Sequence, residues 1–190
     1  MTPALFLDRD GVVNHEVGYL HRAADLAFID GIFSLCRTAQ SLGYRLVIVT
    51  NQAGIARGLY TTADFENLMD LIRDRFELEQ IRLDAVYHCP YHPEGIVAPY
   101  NCDHPDRKPS PGMILRAAGD LALDLPRSIL IGDRCSDIAA ANAAHLRQAF
   151  LLAGTEPATL DSTRLEPACP GSYLPIPHLS AAESWLLARP

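Results

Sequence analysis

Two aspartates near the start of the chain are placed for chemistry. Asp8 and Asp10 follow the short apolar run Leu5-Phe6-Leu7, which predicts a buried strand, and Gly11 allows a tight turn after them. Ligands of open parallel sheets bind beyond the carboxyl ends of the strands, so two carboxylates at such an end suit a catalytic or metal-binding role. A solvated acidic turn has the same local sequence, and the pair alone does not decide between the two interpretations.

Two further predicted strands end in polar side chains. The β-branched run 45–50 ends at Thr50 and Asn51, and the apolar run 128–132 ends at Asp133. The carboxyl ends of parallel strands meet at one edge of a sheet, so these side chains are expected to share one crevice with the first pair of aspartates. The five residues expected there are Asp8, Asp10, Thr50, Asn51 and Asp133.

The wider pattern predicts an α/β fold with a doubly wound, mainly parallel sheet, because strand-like runs alternate with stretches of helical periodicity. The predicted strands cover about residues 5–7, 45–50, 84–88, 128–133 and 148–152. The predicted helices cover about residues 31–42, 61–76, 110–123 and 137–144. All 190 residues are expected to form one domain. It would carry a flap at about 14–30, an irregular loop at about 89–109 and a surface tail from about 153 that ends in a short helix around 180–187.

The composition disfavours several classes of partner. The net charge of −7 and the pI near 5.4 argue against nucleic acid, although a small anionic substrate needs only a local cationic pocket. The chain starts without a basic secretory region and has no apolar run of membrane length. We therefore expect a cytoplasmic monomer with no membrane partner.

The cysteines point to metal before disulfides. They number five, and Cys89 and Cys102 share a proline-rich segment with His88, His92 and His104. In a reducing compartment, such a cluster of thiols and imidazoles favours a metal site.

Four short motifs resemble those of the haloacid dehalogenase-like (HAD) phosphatases and occur in the same order. They read Asp8-Arg9-Asp10-Gly11, Thr50-Asn51-Gln52, Arg107-Lys108-Pro109 and Gly132-Asp133-Arg134-Cys135-Ser136-Asp137. The resemblance covers most of residues 4–152 and implies a Rossmann-like fold without a large cap domain. Within the superfamily it narrows to the D,D-heptose 1,7-bisphosphate phosphatases, with the histidinol-phosphate phosphatases nearby.

The resemblance implies a role for each catalytic residue. Asp8 would be the nucleophile that forms an aspartyl-phosphate, and Asp10 the general acid and base. Thr50 and Lys108 would hold the phosphate oxygens in the transition state. A Mg²⁺ ion, which prefers oxygen ligands, would offset the charge between carboxylate and phosphate. Its expected ligands are Asp8, Asp10 and Asp133, whereas Asp137 would orient Lys108 or a metal-bound water.

The same resemblance implies substrate contacts from the flap and from loops beside the crevice. A guanidinium can hold vicinal hydroxyls or a second phosphate. For Arg57, a salt bridge that closes its own loop is an equal alternative, and Tyr19 has packing within the flap as its alternative. The expected contacts are Glu16, Val17, Gly18, Tyr19, Asn51, Gln52, Arg57 and Arg107.

In the family, the loop ahead of the Arg-Lys-Pro motif carries a structural zinc held by a Cys-x-His and a Cys-x-Cys pair. Here the pairs read Cys89-Pro90-Tyr91-His92 and Cys102-Asp103-His104, so two ligands are displaced or changed in type. Tetrahedral Zn²⁺ accepts mixed sulfur and nitrogen ligands, which leaves a sensible set. The expected ligands are Cys89, His92, Cys102 and His104. The alternative is a metal-free loop with reduced cysteines and solvated histidines.

The leading hypothesis is a Mg²⁺-dependent phosphatase that removes the C7 phosphate of D-glycero-D-manno-heptose 1,7-bisphosphate. This step would serve the synthesis of ADP- or GDP-heptose for lipopolysaccharide or a related glycan. One alternative is the same chemistry on histidinol phosphate. Another is a non-catalytic scaffold on the same fold, which the presence of Asp8, Asp10, Lys108 and Asp133 disfavours.

Overall fold

A six-stranded parallel sheet forms the centre of the computed structural model, which describes residues 1–153 and 169–188. The strands are β1 (Ala4–Leu7), β2 (Arg45–Asn51), β3 (Ala85–Cys89), β4 (Ile129–Gly132), β5 (Gln148–Leu152) and β6 (Leu174–Ile176). Their order across the sheet is β3-β2-β1-β4-β5-β6, and each neighbouring pair is parallel. The predicted α/β fold with a parallel sheet is confirmed.

Helices cover both faces of this sheet. In the described residues they are α1 (Ile32–Ser41), α2 (Ala53–Ala56), α3 (Thr62–Leu78), α4 (Gly112–Leu121), α5 (Cys135–Ala143) and α6 (Leu179–Leu187). The helices α1, α3 and α6 pack on one face, and α4 and α5 pack on the other. None of these six helices has the length and apolar character needed to cross a membrane.

The sheet is buried on both faces because its central strands are apolar throughout. In β1, Leu5 and Leu7 belong to the core shared with α1 and α3, whereas Ala4 and Phe6 belong to the core shared with α4 and α5. This alternation is the two-residue period of a strand with helices on each side. All four side chains are fully buried. Residues at the carboxyl ends of these strands therefore stand on a rigid base.

The predicted flap folds back towards the sheet. A backbone bridge pairs Asn14 with Phe28, and Leu20 and Ile29 are buried. Tyr19, near the tip of the flap, is 41% exposed and lines the cavity described below. The flap is thus anchored at its base and presents its tip to the carboxyl edge of the sheet.

The carboxyl-terminal segment contains the short helix predicted around 180–187, but it also contains a strand that the predicted surface tail does not include. Leu174–Ile176 form β6 at the edge of the sheet, and α6 packs on α1 with Leu179 and Leu186 buried. The short apolar pattern of β6 is interrupted by Pro175, which an edge strand tolerates because one side of its backbone needs no ladder partner. The rest of the predicted tail, 154–168, lies outside the described residues.

A disulfide bond joins Cys135, the first residue of α5, to Cys169, with Cα atoms 4.9 Å apart. The prediction that metal binding would come before disulfides concerns Cys89 and Cys102, and the sequence analysis made no prediction for Cys135 and Cys169. Cys36, Cys89 and Cys102 are free thiols. The two bonded cysteines are 34 residues apart, so no local spacing in the sequence indicates their pairing.

Candidate active site

A cavity of about 670 Å³ opens at the carboxyl edge of the sheet. Asp8 follows β1, Thr50 lies near the end of β2, and Asp133 follows β4. Because β1 lies between β2 and β4, these three strand ends are neighbours at the point where the chain's connectivity changes direction. Lys108 reaches the same place from the loop ahead of α4 and touches Asp8. The structure thus brings together the residues that the sequence predicts to share one crevice.

Lys108 is a buried cation held at three points. Its side chain is 3% exposed, and Nζ lies 2.9 Å from Asp8 Oδ1 and 2.5 Å from Asp137 Oδ1. Nζ also donates a hydrogen bond to the Val49 carbonyl at 2.9 Å. Burial by itself would lower the pKa of Lys108, but attraction to Asp137 and Asp8 raises it above its usual value. The ammonium therefore stays charged beside the predicted nucleophile, and the contact with Asp137 agrees with the orienting role expected for that residue.

Three carboxylates crowd together around this ammonium. Oxygen atoms of Asp8, Asp133 and Asp137 lie within 4.8 Å of one another. Gly11, with φ of 84°, makes the approach possible, since a Cβ there would collide with the Asp133 carboxylate. Burial raises the pKa of Asp8 to about 8 against the opposing effect of Lys108, and burial together with Asp137 raises that of Asp133 to about 6. We call Asp8, Lys108, Asp133 and Asp137 the cradle.

The cradle has the chemical character of a divalent cation site. It sets three carboxylates against one ammonium, and Asp133 Oδ1 is buried with no hydrogen-bond partner among the described residues. Mg²⁺ takes oxygen ligands and would supply the missing positive charge. The group contains Asp8 and Asp133, two of the three predicted Mg²⁺ ligands, together with Asp137, whereas the third predicted ligand, Asp10, lies outside it. The Asp10 carboxylate has other partners.

The Asp10 carboxylate is fixed by hydrogen bonds from three neighbouring side chains. Arg9 Nε and a terminal nitrogen bind its Oδ1 at 3.0 and 2.8 Å, and the same terminal nitrogen binds Oδ2 at 2.7 Å. Asn14 donates to Oδ1 at 3.0 Å and Gln52 donates to Oδ2 at 3.1 Å. Arg9 is fully buried, with its ring neighbour Phe65 5.5 Å from the guanidinium. The carboxylate is thus held in one orientation at the cavity wall.

Asn51 and Gln52 line the cavity, but their polar atoms bind protein groups. Asn51 Nδ2 donates to the Lys108 carbonyl at 3.0 Å, and its Oδ1 accepts from the Lys108 N–H at 3.1 Å. Gln52 is only 1% exposed and binds Asp10, Thr50 and Tyr60. The amide of Asn51 therefore fixes the backbone that carries the cradle's lysine, a role that its prediction as a substrate contact does not include.

Of the other predicted substrate contacts, five line the cavity and one does not. Glu16, Gly18, Tyr19, Arg57 and Arg107 line it. Val17 is half exposed and is not among the lining residues.

Both interpretations of Arg57, as a substrate contact and as a salt bridge that closes its own loop, find support. The side chain lines the cavity and also pairs with Glu94 at 3.2 Å.

Arg134 is a cavity residue that the sequence analysis did not predict, although it directly follows Asp133. It lines the cavity and forms a 2.9 Å ion pair with Glu16 of the flap.

The four predicted zinc ligands do not converge. In residues 1–153 and 169–188, the only group of three or more His, Cys, Asp or Glu side chains close enough to share a metal is that of the three cradle aspartates. Cys89 is buried in the core beneath the sheet, whereas Cys102 is exposed near the Pro99 carbonyl. The prediction of a zinc site is therefore not supported, since these side chains point into different surroundings.

Aromatic packing and an ion pair brace this loop instead. The rings of Tyr91 and His104 stack with centroids 4.1 Å apart, and Arg107 donates to the Tyr91 carbonyl at 3.3 Å. Asp106, two residues before Lys108, pairs with Arg116 of α4 at 2.5 Å. The end of the loop that carries Arg107 and Lys108 is thus positioned by contacts between protein groups.

Comparison with known proteins agrees with this geometry. The sequence model of the HAD-hydrolase-like family matches residues 106–177. A D-glycero-α-D-manno-heptose-1,7-bisphosphate 7-phosphatase from Burkholderia mallei is 47% identical over 149 residues, which cover 78% of this chain and 79% of that protein. The β-anomer phosphatase of Escherichia coli K12 is 42% identical over 159 residues, covering 83% and 82% of the two chains.

A solved structure leads to the same group. The D,D-heptose 1,7-bisphosphate phosphatase from B. bronchiseptica, complexed with magnesium and phosphate, superposes with a TM-score of 0.81 at 27% identity and covers 99% of both chains. Relatives more than 40% identical over about four-fifths of the chain establish membership by descent. The chain is a HAD-superfamily phosphoric monoester hydrolase and belongs to the D-glycero-D-manno-heptose-1,7-bisphosphate 7-phosphatase family.

Proposed function

We propose that the protein is a Mg²⁺-dependent phosphatase that removes the C7 phosphate of D-glycero-D-manno-heptose 1,7-bisphosphate and releases the heptose 1-phosphate. The product would feed the synthesis of nucleotide-activated heptose for lipopolysaccharide precursors. The observation that carries the proposal is the cradle, where a carboxylate at a strand end contacts a buried ammonium and lies within 4.8 Å of two further carboxylates. The names of the relatives support the choice of sugar.

Phosphoryl transfer would begin at Asp8. Lys108 and the Arg9 N–H both bind its Oδ1, at 2.9 and 2.8 Å, which leaves Oδ2 as the attacking oxygen. A bond forms from Oδ2 to phosphorus while the bond from phosphorus to the sugar oxygen breaks, and Asp10 gives that oxygen its proton. Thr50 and Lys108 would hold the non-bridging oxygens as charge shifts among them.

The second step would regenerate the enzyme. Asp10, now ionised, takes a proton from a water molecule that attacks the phosphorus of the aspartyl-phosphate, so that inorganic phosphate leaves and the Asp8 carboxylate is restored. Mg²⁺ held by Asp8, Asp133 and Asp137 would supply the positive charge that lets a carboxylate approach an anionic ester.

The rim of the cavity favours a bisphosphate over an amine-bearing substrate. Three arginines, Arg57, Arg107 and Arg134, line the cavity. Guanidinium groups bind phosphate through paired hydrogen bonds, whereas they repel an ammonium such as that of histidinol phosphate. We therefore place the C1 phosphate of the sugar at this rim.

Phosphate release with and without Mg²⁺ tests the proposal. Both anomers of the heptose bisphosphate and histidinol phosphate would be compared, with ³¹P NMR identifying the phosphate that leaves. We expect loss of the C7 phosphate, dependence on Mg²⁺, and a kcat/KM for one anomer at least tenfold above that for histidinol phosphate. Faster hydrolysis of histidinol phosphate, or release of the C1 phosphate, would contradict the substrate assignment.

We also propose that the enzyme works as a monomer. One chain supplies the cradle and the lining of the cavity, and the net charge of −7 offers nothing to nucleic acid. Light scattering at working concentration tests the oligomeric state, and a dimer mass would contradict this proposal.

A further inference from the structure

Tyr60 is a buried cavity residue to which the proposed mechanism gives no role. It lies between α2 and α3, is 6% exposed and lines the cavity. Its hydroxyl donates a short hydrogen bond of 2.5 Å to Gln52 Oε1. Burial raises the pKa of Tyr60 above its usual value, so the hydroxyl keeps its proton and remains a donor.

The Gln52 amide links this hydroxyl to two residues of the proposed chemistry. Its Nε2 donates to Asp10 Oδ2 at 3.1 Å and to Thr50 Oγ1 at 2.8 Å. The two ends of an amide are nearly equal in shape, so hydrogen-bond partners decide which end faces which way. Were the amide reversed, its oxygen would face the Asp10 carboxylate, and both groups would be acceptors. A donor on Oε1 fixes the orientation that serves Asp10.

The position of Tyr60 is itself set by close packing. Gly54 leaves room for the ring, since a Cβ at that position would collide with it. The ring of His21, from the flap, stacks on the Tyr60 ring with centroids 5.3 Å apart and an angle of 11°. Contacts with both the flap and α2 therefore restrict the phenol, and its hydroxyl has little freedom to leave Gln52.

We propose that Tyr60 is a positioning residue, which orients Gln52 so that Gln52 aims the Asp10 carboxylate at the leaving oxygen. This inference rests on the proposed role of Asp10 as general acid. A general acid matters in proportion to the basicity of the leaving group. A sugar alkoxide needs a proton as it departs, whereas p-nitrophenolate is stable without one.

The test compares two substrates in the Tyr60→Phe variant. The parameter is kcat/KM, because it covers only the steps up to departure of the leaving group, and later use of Asp10 as a base does not enter it. For the heptose bisphosphate we expect a fall of about tenfold or more, within the range that general acid catalysis supplies. For p-nitrophenyl phosphate we expect a change of less than about twofold, for the reason given above.

Tyr87→Phe is the matched control. The Tyr87 hydroxyl donates to Asp120 on α4 at 2.8 Å, outside the cavity, so loss of that hydroxyl should change neither substrate. Equal losses on both substrates in Tyr60→Phe would overturn the proposal, because a general loss of structure does not depend on the leaving group.

A double mutant and a spectroscopic signal complete the test. If Tyr60 acts through Gln52, the double variant Tyr60→Phe/Gln52→Ala should be no slower than Gln52→Ala alone. Additive losses would overturn the proposal.

In ¹³C NMR, the resonance of the Asp10 carboxyl carbon should shift in Tyr60→Phe and stay in place in Tyr87→Phe. An unmoved resonance in Tyr60→Phe would also overturn the proposal. This signal needs no turnover, so failure of the proposed phosphatase activity would be seen separately.

Discussion

The cradle and the Cys/His loop (residues 89–109) both attract attention in the sequence through side chains that bind metals, yet only the cradle assembles. Asp8 and Asp133 stand at the ends of neighbouring buried strands, so the sheet itself brings them together. Cys89 is also at a strand end, but Cys102, which was predicted to bind the same zinc ion, lies in irregular backbone and is exposed. Metal-binding residue types indicate a site most reliably when regular elements fix their positions.

The two regions also differ in how their charges are balanced. The cradle concentrates three carboxylates in a buried place, and burial first, with repulsion from Asp137 added to it, raises the pKa values of Asp8 and Asp133. The loop is braced by the stacked rings of Tyr91 and His104 and by an ion pair, without a concentration of like charge. A cation would therefore relieve repulsion in the cradle, whereas the loop has no such need.

The largest effect should come from Asp8→Asn. Loss of the attacking oxygen should lower kcat by about 10⁴-fold or more, as removal of a nucleophile does in other hydrolases. The melting temperature should change little, since the amide keeps the shape of the carboxyl and one of three crowded charges is removed. Activity of more than a few per cent of wild type would contradict the role of Asp8 as nucleophile.

Lys108→Met should lower kcat less than Asp8→Asn but cost more stability. Loss of one transition-state donor typically reduces kcat by about 10²–10³-fold. Removal of the buried ammonium also leaves Asp8 and Asp137 without their cation, which should destabilise the fold by about 3 kcal/mol. Urea unfolding and steady-state rates measure the two effects. An unchanged rate would remove Lys108 from the mechanism.

Mg²⁺ binding should tighten as the pH rises. The pKa values of about 8 for Asp8 and about 6 for Asp133 lie above their values in the unfolded chain, so protons compete with the metal below these values. Between pH 6 and pH 8 the apparent Kd for Mg²⁺ should fall by about tenfold or more, with protons released on binding, because Asp8 ionises across this range. Titration calorimetry in two buffers of different ionisation enthalpy measures both.

The same shifts fix the sign of the stability change. A carboxyl with a raised pKa binds more protons in the folded state, so the metal-free protein should lose stability between about pH 4 and pH 8 as the pH rises. Mg²⁺ should raise the melting temperature more at pH 8 than at pH 6. Equal shifts at both pH values would contradict a site built from these carboxylates.

The smallest effect is expected in the Cys/His loop. Cys102→Ser should change kcat/KM and melting temperature by no more than the experimental scatter, because the thiol is exposed and a serine hydroxyl can also donate to its partner, the Pro99 carbonyl. Loss of a zinc ligand would instead unfold the loop and misplace Lys108. Metal analysis of the wild-type protein should find magnesium and no stoichiometric zinc. One zinc per chain that is lost in Cys102→Ser would restore the original prediction.

Local patterns were enough to predict the fold and the strand-end residues. The runs at 5–7, 46–49 and 129–131 are apolar because helices cover both faces of the sheet, and that burial is visible in the sequence. The strand β6 was missed because three residues around a proline carry too little pattern to distinguish a strand from irregular chain.

Residues that depend on contacts distant in sequence could not be predicted in the same way. Arg9 sits between two aspartates and gives no local sign that it is fully buried, with its guanidinium 5.5 Å from the centroid of the Phe65 ring. Arg134 has no role in the sequence analysis, yet it pairs with Glu16, which is 118 residues away. Tyr60 became visible only through its contact with Gln52. Each of these depends on how separate segments pack, which no spacing rule records.

The most direct measurement of the central claim is to trap the covalent intermediate. Enzyme and Mg²⁺ would be mixed with the heptose bisphosphate, quenched within one turnover and reduced with borohydride, which converts a phosphorylated aspartate to homoserine. We predict homoserine at position 8 by peptide mass spectrometry, and none there when substrate is omitted. Turnover with Asp8 unmodified, or a trapped phosphoryl group on another residue, would contradict the account.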